Sequence, residues 1–161
     1  MEAGKGKWRL TSPAHAVHAF AQALRELEAE GGVVARHARY TANACRLVDG
    51  MQRLGFHCLL PAEVRLPILT AFRSPLEPSY EFRRFYTDLK ARGFVIYPGK
   101  VTSADTFRIG SIGDVRPDAI DRLVRAVGNC MYWRDDIPLP ERTRPGSMCT
   151  GAARSAASPS R

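Results

Sequence analysis

Arg108 carries the most specific chemistry in this chain of 161 residues. It lies in the run Thr106-Phe107-Arg108-Ile109-Gly110, flanked by apolar residues of a strand-like stretch and followed closely by glycine. A guanidinium set among apolar neighbours is costly unless it meets an anion. Its planar pair of donors can grip a carboxylate or a phosphonate bidentately. A structural ion pair with an acid such as Asp114 would explain the same residue, and the sequence leaves both readings open. Thr11-Ser12 is a second candidate, because hydroxyls and free backbone N–H groups at a helix start attract anions. Simple capping of that helix is the plainer reading of the pair.

Other groupings carry less. Gly93 to Lys100, GFVIYPGK, looks like a phosphate loop. It has one residue too many between its glycines, and Val101 stands where Ser or Thr is required. Lys100 is then expected in a solvated loop. His15 and His18 are three apart on one helix face, but no carboxylate or cysteine lies near them, so no metal site is expected. Cys45, Cys58, Cys130 and Cys149 form no CxxC pair. They suit neither zinc nor a disulfide framework, and reduced thiols are expected. Without a G-x-S-x-G elbow or a Cys/His pair, hydrolase chemistry has no support.

The elements that would position these residues follow from apolar spacing. Ser12 as N-cap and Pro13 as first helical residue would open a helix with Val17, Phe20, Ala21, Leu24 and Leu27 on one stripe, stopped by Gly31-Gly32. A second helix would bury Tyr40, Ala44, Leu47, Val48, Met51 and Leu54, ending at Gly55. Arg36, Arg39, Arg46 and Arg53 would lie solvated on its other face. Leu66–Phe72 reads as a strand. Ser79 would cap a third helix bearing Phe82, Phe85, Tyr86 and Leu89, stopped by Gly93. Phe94–Tyr97 and Thr106–Ile109 read as strands. Pro117 would start a last helix with Ile120, Leu123, Val124, Val127 and Met131 inward. This order predicts an α/β or α+β layer, a small sheet with helices packed on it.

Length and composition suit one domain with a sizeable core. The net charge of +8 comes from twenty arginines against four lysines, spread along the chain without a dense basic run. A solvated basic surface is therefore preferred to a nucleic-acid face. No run is long and apolar enough for a membrane span, and Met1–Leu10 lacks the apolar stretch of a signal peptide, so a cytoplasmic protein is expected. From Arg134 onward the prolines at 138, 140 and 145 give way to GAARSAASPSR. Residues 134–161 therefore read as a disordered tail.

Three blocks then combine: GKWRLTSPAHAVHAFAQALRELEAEGGVVARHARY, RGFVIYPGKVTSADTFRIGSIGDV and AVGNCMYW. Together they resemble the C-terminal part of the 2-aminoethylphosphonate–pyruvate transaminases, a family of class V pyridoxal-phosphate aminotransferases, over residues 1–133. The resemblance implies the α+β small domain of the type I fold, with a small, mostly antiparallel sheet, and a homodimer. It implies transfer of the amino group of 2-aminoethylphosphonate to pyruvate, giving phosphonoacetaldehyde and L-alanine. Arg108 matches the arginine that grips the substrate's acidic group. Thr11 matches the threonine that reaches the cofactor phosphate of the neighbouring subunit. The family's cofactor lysine has no counterpart here: none of Lys5, Lys7, Lys90 and Lys100 occupies that position. The chain is thus expected to be a C-terminal fragment, inactive alone and with no catalytic lysine. Alternatives are a fragment of another class V aminotransferase (alanine/serine–glyoxylate or pyruvate type) and a non-catalytic remnant or binding module.

Overall fold

A computed structural model describes residues 11–101 and 104–134. The polypeptide divides into two compact units, residues 1–39 and 40–161. The first holds α1, Ala14–Ala29, and the beginning of α2, Gly32–Arg53. Gly31 and Gly32 join these helices at φ 104° and 80°, a left-handed region that side chains with a Cβ resist. Glu30 at the turn accepts hydrogen bonds from Arg36 (2.7 Å) and Arg39 (2.5 Å). Those two arginines are therefore paired, not merely solvated as expected.

The start of α1 also departs from expectation. The N-cap is Pro13, the helix begins at Ala14, and no side chain caps it. The Ser12 carbonyl takes the Ala14 N–H at 2.9 Å, so that donor is already satisfied by backbone. The expected apolar stripe lies on the helix, but no α1 residue is buried, and Val17, Phe20 and Leu24 are exposed.

The second unit is built around a three-stranded sheet: β1 (Leu69–Arg73), β2 (Tyr97–Val101) and β3 (Ala104–Gly110). Its order is β1-β3-β2 with both pairings antiparallel, so β3 is central. Cys58 forms an isolated bridge to Phe72, extending the β1 side. β2 begins where the strand was expected to end. The cause is the preceding helix, α3 (Phe82–Ala91). Its end is closed by Gly93 N–H to the Lys90 carbonyl and Phe94 N–H to the Leu89 carbonyl, both 3.0 Å. That is the Schellman pattern, with Gly93 at φ 86°. Phe94 thus serves the helix end and cannot start a ladder. Lys100 correspondingly sits on β2, not in a loop. α2 ends the same way, through Gly55 N–H to Gln52 (2.8 Å) and Phe56 N–H to Met51 (3.0 Å).

α3 starts three residues after the expected Ser79 cap, with Glu81 as N-cap and no side-chain cap bond. The Tyr132 hydroxyl substitutes from afar: it accepts the Glu81 N–H at 2.8 Å and donates to the Glu81 carbonyl at 3.1 Å. The last helix, α4 (Pro117–Gly128), begins on its proline as expected. The core joins Leu47 and Met51 of α2, Phe72, Phe107 and Ile109 of the sheet, Phe85 and Leu89 of α3, and Ile120 and Val127 of α4. Trp133 packs edge-on to Phe56, Phe85 and Tyr80. Arg46 pairs with Asp121 of α4 at 2.6 Å, so it too is partnered. The expected tail lies outside the described residues apart from Arg134.

Candidate functional site

Period-two alternation on β3 fixes where Arg108 goes. Phe107 and Ile109 are buried at 0% and 3% exposure, so they face the core and Arg108 faces the other way, exposed. In register, Arg108 lies between Ala71 of β1 and Tyr97 of β2. Its Nη2 donates to the Pro98 carbonyl at 3.2 Å. That bond uses one of five guanidinium donors and leaves the rest open to a ligand. Asp114 pairs instead with Arg116, at 2.8 Å. Among the described residues no carboxylate pairs with Arg108, so the structural ion pair with Asp114 is not formed.

The surroundings of Arg108 leave room. Gly110, two residues on and on the same face, would carry a Cβ meeting nothing closer than the Ile68 carbonyl at 3.9 Å. Gly99 is constrained: a Cβ there would fall 2.3 Å from Thr106 Oγ1. That hydroxyl is buried and donates to the Gly99 carbonyl at 2.8 Å, pinning β2 to β3 beside the arginine. Tyr97, 60% exposed, stands on the open face next to Arg108. In the sequence Tyr97 is the last residue of an expected strand and Gly110 the glycine that closely follows Arg108, and neither stands out as a site residue. The signal that could have singled them out is cross-strand pairing, which a chain read in order does not display.

Thr11 belongs to the other compact unit and is exposed at a bend before α1. Its hydroxyl makes no hydrogen bond among the described residues. His15 and His18 are exposed, and among the described residues no group of three or more His, Cys, Asp or Glu is placed to hold a metal. Cys45, Cys58 and Cys130 are not in disulfides. No described helix is long and apolar enough to cross a membrane.

Pyridoxal phosphate needs a sheltered lysine amine for its carbonyl as well as a phosphate anchor. Lys90 is exposed on α3, its Nζ lying 6.0 Å from the Tyr86 ring centre. Lys90 therefore does not supply the sheltered amine that the reactive end of that cofactor needs. A separate cleft of about 780 Å³ involves His57, Arg73, Asp105, Trp133 and Arg134. Arg134 there is committed to the Leu54 carbonyl at 2.9 Å and to Glu77 at 3.8 Å.

Relatives place this geometry in context. No family model matches the chain. It is 59% identical over 136 residues to a 2-aminoethylphosphonate–pyruvate transaminase of Aeromonas hydrophila, covering 84% of this chain and 36% of that protein. A protein of the same name from Syntrophobacter fumaroxidans is 56% identical over 132 residues, covering 82% of this chain and 36% of that one. The chain thus spans about a third of the length of the curated relatives it matches. By structure it is similar to an alanine–glyoxylate aminotransferase from Nostoc sp., with TM-score 0.71, 22% identity, and coverage of 79% of this chain and 34% of that one. A ureidoglycine–glyoxylate aminotransferase from Bacillus subtilis follows at TM-score 0.61 and 19% identity, covering 68% and 28%. The structural likeness speaks to the fold and the sequence likeness to the lineage. Together they show that the chain is similar, over a stretch about a third as long as its curated relatives, to the class V aminotransferases.

Proposed function

We propose that this chain supplies the substrate-recognition part of a pyridoxal-phosphate-dependent transaminase. The reaction is transfer of the amino group of 2-aminoethylphosphonate to pyruvate, giving phosphonoacetaldehyde and L-alanine. The observation that carries the reading is Arg108: exposed on the central strand, oriented by one backbone carbonyl and without a carboxylate partner among the described residues. Both substrates present an acid group that a guanidinium binds through two parallel hydrogen bonds. The names of the sequence relatives support the choice of amino donor. In this reading Thr11 offers its hydroxyl to the cofactor phosphate of a neighbouring subunit in a homodimer. Its exposure and its lack of a partner among the described residues support that role.

Binding of 2-aminoethylphosphonate and of pyruvate to the 161-residue chain, followed by NMR titration, tests the assignment. Arg108→Ala removes hydrogen bonds to a charged group, each contributing about 1.5–3 kcal/mol. Affinity for both ligands should fall by at least about tenfold. Unchanged affinity for both would remove Arg108 from the site. Pyridoxal phosphate added to the chain alone should form no adduct that survives dialysis and is fixed by borohydride on Lys90 or Lys100. Finding one would overturn the view that the reactive lysine lies elsewhere.

A further inference from the structure

We propose that Tyr97 selects a phosphonate over a carboxylate at the Arg108 site, by donating its hydroxyl to the oxygen that the guanidinium leaves free. This rests on the reading of Arg108 as the acid-binding residue. The register sets Tyr97 directly opposite Arg108, on the neighbouring strand and on the same open face. Side chains so placed have Cβ atoms about 4.5–5.5 Å apart. Their polar ends, carried on side chains of similar reach, can therefore meet one small anion.

The hydrogen-bond count gives the selectivity. A carboxylate has two oxygens, and a guanidinium fork satisfies both. A phosphonate, like a phosphate, has three acceptor oxygens, so one is left over when the fork is engaged. Arg108 contributes one further donor to the Pro98 carbonyl, which holds the fork to the β2 side of the strand, where Tyr97 stands. The Tyr97 ring is 60% exposed, and its hydroxyl has no protein partner among the described residues. An exposed tyrosine without an internal bond is free to donate outward. On the other flank Ala71 offers no polar side-chain atom, and at Gly110 there is none either. Of the two side chains directly opposite Arg108, Ala71 and Tyr97, only the phenol carries a donor; Arg73, on the same face of β1, stands opposite Thr106 instead.

The test uses two ligands that differ in the acid group alone, 2-aminoethylphosphonate and 3-aminopropanoate, titrated into the full chain by NMR. The unsubstituted chain should bind the phosphonate more tightly. Tyr97→Phe keeps the ring and its packing and removes only the oxygen. The proposal expects it to lower the phosphonate-to-carboxylate affinity ratio by about tenfold, with affinity for 3-aminopropanoate unchanged. Arg108→Ala should weaken both ligands. If Tyr97→Phe leaves the ratio unchanged while Arg108→Ala weakens both, the selectivity role fails and the arginine reading stands. If Tyr97→Phe weakens both ligands equally, the tyrosine shapes the site without selecting, and the proposal fails. If Arg108→Ala affects neither ligand, or the unsubstituted chain binds neither, the reading beneath the proposal fails with it. Tyr97→His, which restores a donor at a different reach, should recover part of the ratio.

Discussion

Gly50 on α2 poses a contest between two effects of known size, and the structure decides it. Glycine inside a helix costs roughly 0.5–1 kcal/mol relative to alanine, so Gly50→Ala should stabilise the helix by that amount. The added methyl, however, would lie 2.6 Å and 3.0 Å from the two γ carbons of Val124 on α4, and 3.3 Å from its Cβ. Overpacking of a filled core costs about 1–3 kcal/mol. A β-branched side chain on a helix has one dominant rotamer, so the valine cannot swing aside cheaply. The helices would have to move apart instead. The net result should be a loss of about 1–2 kcal/mol. In urea unfolding followed by circular dichroism, the midpoint should fall by about 0.5–1 M at unchanged slope. Adding Val124→Ala removes both close γ carbons, and the pair should show a favourable coupling of about 1 kcal/mol in a double-mutant cycle. Gly50→Ala as stable as the parent, at equal slope, would show that α2 and α4 do not meet at this glycine.

Three further expectations are separable from that one. Hydrogen bonds from Arg39 and then Arg36 hold the Glu30 carboxyl down, from 4.5 to about 2. A depressed folded value stabilises above the unfolded value, and the effect is lost as pH falls through the folded one. Amide-exchange protection at the α1–α2 turn should therefore decline between about pH 4.5 and 2, and Glu30→Gln should flatten that decline; an unchanged profile would discount the pairing. Trp133→Ala, at a residue 7% exposed and ringed by aromatics, should cost about 3–5 kcal/mol, and a loss below about 1 kcal/mol in urea unfolding would contradict its place in the core. Phe20→Ser with Leu24→Ser should reduce binding of an apolar dye without shifting the unfolding of residues 40–134, since both side chains are exposed on α1; unchanged dye binding would show that this stripe is not the open apolar surface.

Local rules read well where one residue type carries the conformation. Pro117 opens α4, and Gly55 and Gly93 end α2 and α3, because few alternatives suit those backbone positions. Leu47, Val48 and Met51 of α2, Phe85 and Leu89 of α3, and Ile120, Leu123 and Val127 of α4 are buried as 3.6-residue spacing predicts, while Met131, expected on α4, lies past its end at Gly128. What failed depended on partners far along the chain. Ser79 looked like a cap, but Tyr132 does that work from the other end of the sequence. Phe94–Tyr97 had the composition of a strand, yet the Phe94 N–H was already spent on α3, so pairing starts at Tyr97. Arg46 looked solvated because Asp121 is distant in sequence. For the site, alternation was enough to send Arg108 away from the core. Its freedom from Asp114 and the tyrosine beside it belong to the sheet register, which no local pattern records.

On the proposed reading of Arg108 and Tyr97, the strand order divides labour between a fixed anchor and an adjustable neighbour. Arg108 lies on β3, held by ladders on both sides, while Tyr97 lies on β2, held on one side. A change on the edge strand disturbs one set of backbone hydrogen bonds; the same change on the centre would disturb two. Variation can therefore explore new acid shapes, bulkier tails or different charge through positions on β2 while the guanidinium stays in place. In engineering terms, the sheet separates the part of recognition that must be precise from the part that can be varied, and β2 is where a library of altered substrate preference should be built.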